Sequence, residues 1–285
     1  MPELPDLVHI ESVLARCLVG LRIADVRVGD PVVLRIMVNA PFPGVLLGKR
    51  LTQVKRVGQF LRFVLDGDVV LVVNAMLTGR YALVSDGRRS KDLILALRFD
   101  GGDELQYADE TRMGKIYVAT AQQDDTIPGL RDLGVELLSP DFTLERFRQL
   151  HARRRDQVRQ FLLDKTALAS IGNAYADEIL FAARVHPKTL CNRLSSEEVE
   201  RLFVAIGQTL RWAIGEIQRR DQPIDVKLRD FLKVRGRAGQ PCGECGTIIR
   251  RVRVGRDDAC FCPRCQPTER KLFVDFRNLP GKSGR

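Results

Sequence analysis

Two cysteine pairs constrain this chain more tightly than any other feature of it. Cys242 and Cys245 are two residues apart, sixteen residues follow, and Cys262 and Cys265 repeat the same spacing. Each pair offers two soft sulfur ligands from one tight turn, so the four thiolates are expected to meet at a single tetrahedral zinc ion. Gly243 and Gly246 ease the first turn, and Pro263 stiffens the second. Four sulfurs leave no open coordination position, which makes the expected metal structural. Thr247 to Val254 alternate in polarity and predict the arms of a hairpin closing near Gly255-Arg256-Asp257-Asp258, with Arg250, Arg251, Arg253 and Arg256 on or beside it. Cys260 competes as a ligand, but only Cys262 completes the second two-residue spacing. Cys17 and Cys191 lie far away, so the seven cysteines suggest a metal site in a reducing compartment, not a disulfide framework. The plain alternative is a zinc ribbon that only stabilises the terminus or docks a protein.

The rest of the chain divides by hydrophobic period. Leu7, Ile10, Leu14, Cys17 and Leu18 recur at helical spacing, predicting an amphipathic helix over roughly residues 3 to 19. From about 21 to 120 the period becomes two, with Asp66-Gly67 and Asp100-Gly101-Gly102 separating strand-like runs such as Leu61 to Leu65, Val69 to Val73 and Leu93 to Phe99. That half predicts an antiparallel sandwich or barrel. Periodicity fails between Ala121 and Pro140, where Asp124, Asp125, Pro128 and Gly129 mark a linker. Helical spacing returns at Phe161 to Ala169, Ala174 to Ala183 and Val199 to Ile217. The expected layout is a catalytic sandwich domain over 1–135, a helical DNA-binding domain over 136–236, a zinc finger over 237–267 and a basic tail over 268–285.

A net charge of +10 favours a polyanionic partner, either nucleic acid or an acidic membrane surface. No run of about 18 apolar residues crosses a membrane, and the N-terminus lacks the basic-then-apolar layout of a signal peptide, so a cytoplasmic, nucleoid-associated monomer is expected.

Met1-Pro2-Glu3-Leu4-Pro5 reads first as an ordinary helix start, since proline suits the first turn and an early glutamate complements the dipole. With Met1 removed, Pro2 exposes a secondary amine less basic than a lysine side chain, and so a competent nucleophile near neutrality. Glu3 stands beside it to move protons. Of the three histidines, His9, His151 and His186, none belongs to an evident nucleophile-base set.

Three separated motifs give the chain a resemblance to the formamidopyrimidine-DNA glycosylase/endonuclease VIII family, from Met1 to about Gln266. Met1-Pro2-Glu3-Leu4-Pro5 looks like its catalytic start, Ile171-Gly172-Asn173-Ala174-Tyr175-Ala176-Asp177-Glu178-Ile179-Leu180 is similar to its helix-two-turn-helix signature, and Pro241 to Gln266 resembles its zinc finger. The resemblance implies an α+β protein: a β-sandwich with a catalytic N-terminal helix, followed by a helix-two-turn-helix domain bearing the finger hairpin. It implies a bifunctional glycosylase/AP lyase acting on duplex DNA with damaged bases or abasic sites. Pro2 is then the Schiff-base nucleophile and Glu3 the general acid, with strand cleavage by β- and then δ-elimination.

On the DNA side, Gly172-Asn173 before a helix offers an amide side chain and free backbone N–H groups to a phosphate, although a plain helix cap reads the same way. Arg153, Arg154, Arg155 and Arg159 precede it, and the resemblance assigns a backbone contact near Arg155; a solvated basic face is the ordinary alternative. Asp109-Glu110-Thr111-Arg112-Met113-Gly114 resembles the loop that inserts an arginine, here Arg112, into the gap left by an extruded nucleotide. Leu77 or its neighbour Met76 would be the accompanying wedge.

The chain departs from the family pattern at four places. Gln59 stands where a lysine is usual, with Lys55 or Arg56 nearby to compensate. Arg256 comes one position before the hairpin-tip arginine, leaving Asp257 at the strict position. Lys91 replaces a histidine, and Met113 an aromatic wedge. The run Phe231-Leu232-Lys233-Val234-Arg235-Gly236 leads almost directly into the finger, without the insertion that caps oxidised purines, which leans specificity toward oxidised pyrimidines or open-ring lesions. Gln59 and Arg256 also motivate an alternative: a catalytically weakened protein that binds damaged or abasic DNA.

Overall fold

The computed structural model describes residues 2–85 and 87–268, so the expected basic tail lies outside the described residues beyond Thr268. Helix α1 (Leu4–Leu18) begins with Pro5 in its first turn. The Glu3 N–H, which no helical carbonyl can take, is accepted by Asp6 Oδ2 at 2.7 Å. Nine strands follow: β1 (Ile23–Val28), β2 (Leu34–Ile36), β3 (Leu51–Val57), β4 (Phe60–Leu65), β5 (Val69–Asn74), β6 (Arg80–Val84), β7 (Leu93–Phe99), β8 (Glu104–Ala108) and β9 (Lys115–Thr120). They form a four-stranded sheet ordered β1-β7-β8-β6 and a five-stranded sheet ordered β2-β9-β5-β4-β3. All pairs are antiparallel except β2 with β9.

Alternation along the strands places the sandwich core between the sheets: Ile23, Phe63, Leu71, Leu97 and Val118 belong to one buried cluster. Strand β5 departs from the expected period of two, since all six of its residues are buried. Its second face, Val70 and Val72, is covered together with Phe60 and Tyr117 by Ile127 and Leu130. A strand sealed on both sides has no face on which polar residues are favoured. The stretch expected to be an irregular linker is therefore partly a lid, opening with a short 3-10 helix over Ala121–Thr126.

Helices α2 (Leu144–Ala152), α3 (Val158–Leu163), α4 (Asn173–Ala182) and α5 (Ser196–Arg220) enclose a second core around Phe147, Phe161, Ile179, Leu202 and Leu210. Helix α5 starts on a capping box, with Ser195 and Glu198 satisfying each other's backbone N–H groups at 3.2 and 2.8 Å. The helical reading of Phe161 to Ala169 is corrected, because α3 stops at Leu163. Asp164 Oδ1 accepts from the N–H of Thr166 at 3.0 Å and from its hydroxyl at 2.7 Å, turning the chain. Leu168 then bridges Val135 in extended form, so Ala167 and Leu168 stay buried outside any helix.

In the finger, β10 (Arg250–Val254) pairs with β11 (Asp257–Phe261), Val254 opposite Asp257. The expected four-residue closure is thus two residues, Gly255 and Arg256. Asp257 and Asp258 belong to the returning strand. Gly255 carries the positive φ that so tight a turn requires.

Helix α1 joins the two halves. Leu7, Ile10, Leu14 and Leu18 enter the sandwich core, while Leu4 is part of the helical core. The chain's first residues are thereby set where the two cores meet.

Candidate active site and nucleic-acid interface

Pro2 is buried and lines a cavity of about 350 Å³ with Asp6, Leu77, Thr78, Glu110 and Ile224. That volume lies within the usual range for small-molecule sites, and it contains the residue expected to be the nucleophile. A larger cleft of about 1030 Å³ lies between the start of α5 and the finger, lined by Arg184, Arg193, Arg201 and Arg264. Of the expected site residues it touches only Cys245 and Cys265, so the smaller cavity is the better candidate for chemistry.

Glu3 decides between a helix start and a site. A carboxylate serving only its own helix would face the first turn of α1. Glu3 does share a capping box with Asp6 at the start of α1, but Oε1 also accepts from the N–H of Ala174 at 3.1 Å and Oε2 from the N–H of Tyr175 at 3.2 Å, at the N-terminus of α4. This corrects the expectation that those amides are free for a phosphate: an internal anion occupies them. Gly172, the residue before α4, is needed for the approach, because a Cβ there would stand 2.2 Å from Glu3 Cδ. Asp6, one turn along α1, receives both Nη groups of Arg229 at 2.8 and 2.6 Å, and the guanidinium lies 5.3 Å from the Tyr175 ring centroid. The N-terminus is therefore held from two sides.

Lys165 completes this shell, and its spacing gave no sign of it. Its ammonium donates to the Ile171 carbonyl. Burial pushes its pKa down to about 8, against the opposing pull of Glu3 and Asp164. Burial likewise pushes the Tyr175 phenol up, and its hydroxyl has no hydrogen-bond partner among the described residues.

Of the expected wedge residues, Leu77 lines this cavity, whereas Arg112 and Met113 do not. Leu77 is 60% exposed, and Met113 is 46% exposed. Arg112 adopts φ +54° and pairs its Nε with Asp30 Oδ2 at 2.7 Å. Asp109 fastens the two loops together, accepting from the Thr78 hydroxyl and from the Gly114 N–H at 2.7 Å. Burial raises its carboxyl, but these bonds and those from Thr111 outweigh it and hold the group below the usual carboxylate range.

Other expected residues lie elsewhere. Gln59 shares a two-residue turn with Gly58 between β3 and β4 and does not line the cavity. That turn is gripped by Glu136, which accepts from the Gly58 N–H at 2.9 Å and from Arg56 Nη2 at 2.6 Å. Arg56, once a candidate to stand in for lysine, is committed to this contact. Arg155 is exposed between α2 and α3, whereas Arg159 is wholly buried and donates to Asn173 Oδ1 at 2.9 Å. Arg256 is exposed at the hairpin turn.

The four sulfurs of Cys242, Cys245, Cys262 and Cys265 lie within 4.8 Å of one another. Two separations are 3.9 and 3.4 Å, close to the roughly 3.8 Å edge of a tetrahedron with zinc-sulfur bonds of about 2.3 Å. The donor set fits one structural zinc. Cys260 is not part of it; its side chain packs with Phe181, Val234 and Ile249, and its N–H donates to Asp177 Oδ2 at 2.9 Å.

Comparison with known proteins identifies the family. Residues 1–116 match the formamidopyrimidine-DNA glycosylase N-terminal domain, 133–222 the formamidopyrimidine-DNA glycosylase H2TH domain, and 239–268 a zinc finger found in FPG and IleRS. The formamidopyrimidine-DNA glycosylase of Symbiobacterium thermophilum is 34% identical, with 100% of this chain and 95% of that protein covered. The chain belongs to the formamidopyrimidine-DNA glycosylase family. Members of this family are base-excision repair enzymes, DNA glycosylases with AP lyase activity. The relative from Moorella thermoacetica is 37% identical over 89% of this chain and 95% of its own length. Among solved structures, the Lactococcus lactis enzyme in complex with DNA containing an abasic site superposes with a TM-score of 0.83 at 27% identity, covering 93% of this chain and 100% of that one. The same enzyme with DNA containing FAPY-dG gives 0.82 at 28% identity, with the same coverage. Among the described residues, no helix is long and apolar enough to cross a membrane.

Proposed function

We propose that the chain excises damaged bases from duplex DNA and cleaves the strand at the resulting abasic site, with Pro2 as nucleophile and Glu3 moving protons. The observation that carries this reading is the pairing of Pro2, at the wall of a cavity sized for an extruded nucleoside, with Glu3, held rigidly beside it by α4. Removal of Met1 frees the ring nitrogen. Its lone pair attacks C1′, the C1′–base bond breaks, and the base leaves with a proton supplied through Glu3. The C1′–O4′ bond then opens as O4′ takes up a proton, and the resulting iminium acidifies the C2′ proton, whose loss expels the 3′ phosphate. A second elimination releases the 5′ phosphate, and hydrolysis returns the amine. Arg112, Met113 and Leu77 fill the gap in the duplex, while Asn173, Arg155, Gln59 and Arg256 engage the backbone. The Lactococcus lactis complexes with abasic and FAPY-dG DNA support a damaged duplex as partner. The run Phe231 to Gly236, which leads almost directly into the finger without the insertion that caps oxidised purines, supports oxidised pyrimidines or open-ring lesions.

Borohydride reduction on an abasic duplex tests the proposal. A covalent protein-DNA adduct is expected with the native chain and is expected to vanish in Pro2→Gly. Tight binding without an adduct in either protein would support the second reading, a damage-binding protein, which Gln59 and the displaced Arg256 favour.

A further inference from the structure

Arg159, on α3, is the bulkiest side chain wholly withdrawn from solvent among the described residues. A buried guanidinium is costly unless its charge is paired and its N–H groups are used. Nε donates to Asp177 Oδ1 at 2.8 Å, and both side chains are 0% exposed. Nη2 donates to Asn173 Oδ1 at 2.9 Å and to the Asp258 carbonyl at 3.2 Å. The second oxygen of Asp177 accepts from Arg235 Nη1 and from the Cys260 N–H, each at 2.9 Å, and Arg235 Nη1 also donates to the Asp258 carbonyl at 2.7 Å. One buried carboxylate and two guanidiniums thus join α3, α4, the connection before the finger, and β11.

A carboxamide has an accepting end and a donating end of nearly equal shape, and its partners decide which one faces a ligand. A phosphate oxygen accepts only, so it needs the donating end. With Oδ1 of Asn173 engaged by Arg159, the remaining side of the amide offers Nδ2–H groups. The same fork holds Asp258, two residues from Arg256 at the hairpin turn. We propose that Arg159 is a positioning residue for the DNA-backbone contact, fixing the Asn173 amide with its donors outward and registering the finger turn to it. This inference rests on the reading of Asn173 as a phosphate contact.

A double-mutant cycle tests it, using the full chain and a duplex carrying a tetrahydrofuran abasic analogue, with affinity read by fluorescence anisotropy and Tm measured alongside. Arg159→Lys keeps a charge beside Asp177 but lacks the forked second nitrogen that reaches Asn173. The expected result is about a tenfold loss of affinity in Arg159→Lys, a loss in Asn173→Ala, and no further loss when the two are combined. If Arg159→Lys fails to fold, Arg159→Met with Asp177→Asn removes both members of the buried pair, leaving only the partly exposed Arg235 charge, and is expected to show the same loss and the same lack of additivity. Additive losses that follow the fall in Tm would mark a merely structural residue and overturn the proposal, as would native affinity in Arg159→Lys. Native affinity in Asn173→Ala would instead remove the phosphate reading of Asn173, and the positioning role with it.

Discussion

The carboxylate of Glu3 caps a helix that begins 170 residues further along the chain, with Oε1 accepting from the Ala174 N–H at 3.1 Å. Glu3 itself belongs to the N-terminus of α1, so a single side chain couples the first residues of the sandwich half to the helix-two-turn-helix signature. Its immobility follows from two hydrogen bonds and from the absence of a side chain at Gly172.

Gly172→Ala should therefore act on chemistry as well as stability. A methyl group 2.2 Å from Glu3 Cδ must push the carboxylate aside. The expected cost is about 1–3 kcal/mol of stability and, for a proton-transfer group moved by about 1 Å, about a hundredfold in the rate of borohydride trapping. Trapping at the native rate would show that Glu3 does not need this position.

Lys165 gives the stability of the chain a pH signature. Its folded pKa of about 8 lies below the unfolded value of 10.5, so between these values the folded state holds fewer protons and stability rises with pH. Below pH 8 both states are charged, and the penalty for burying the ammonium is fully present. In urea unfolding at several pH values, the native chain should gain on Lys165→Met by at most about 1.4 kcal/mol per pH unit across that window. A difference independent of pH would exclude burial as the cause of the shift.

Zinc content should be one ion per chain, and Cys262→Ser should abolish it. The finger's small apolar cluster includes Cys242, Cys260 and Cys262, so losing the metal is expected to unfold the hairpin while both larger cores persist. Far-ultraviolet circular dichroism should change little. DNA affinity should fall and its salt dependence flatten, because the hairpin arginines leave the backbone. Unchanged affinity after zinc removal would exclude the finger from the interface.

Gln59→Lys restores the charge usual in the family, on a turn already anchored by Glu136. One added phosphate contact should steepen the slope of log affinity against log salt by about one. An identical slope would place residue 59 away from the DNA backbone.

Local spacing made much of this molecule legible. Helix α1, the runs around β4, β5 and β7, the finger and its four ligands all follow from the period of apolar residues or from the bite of two thiolates in one turn. These signals need only neighbours in sequence. Where a second covering surface entered, they failed: β5 is buried throughout because the 121–133 segment seals its outer face, and the apolar run after Phe161 leaves its helix at Asp164 because Leu168 is buried by Val135 instead.

The sequence by itself determined the zinc site, the α+β layout and the family, since each depends on residue types at fixed short intervals. Only the tertiary structure decided which polar groups meet: Glu3 with the amides of α4, Asp109 with Thr78, Arg159 with Asp177 and Asn173. A buried charge takes whatever partner the packed cores bring within about 3 Å, and that choice belongs to the topology, where no periodicity records it.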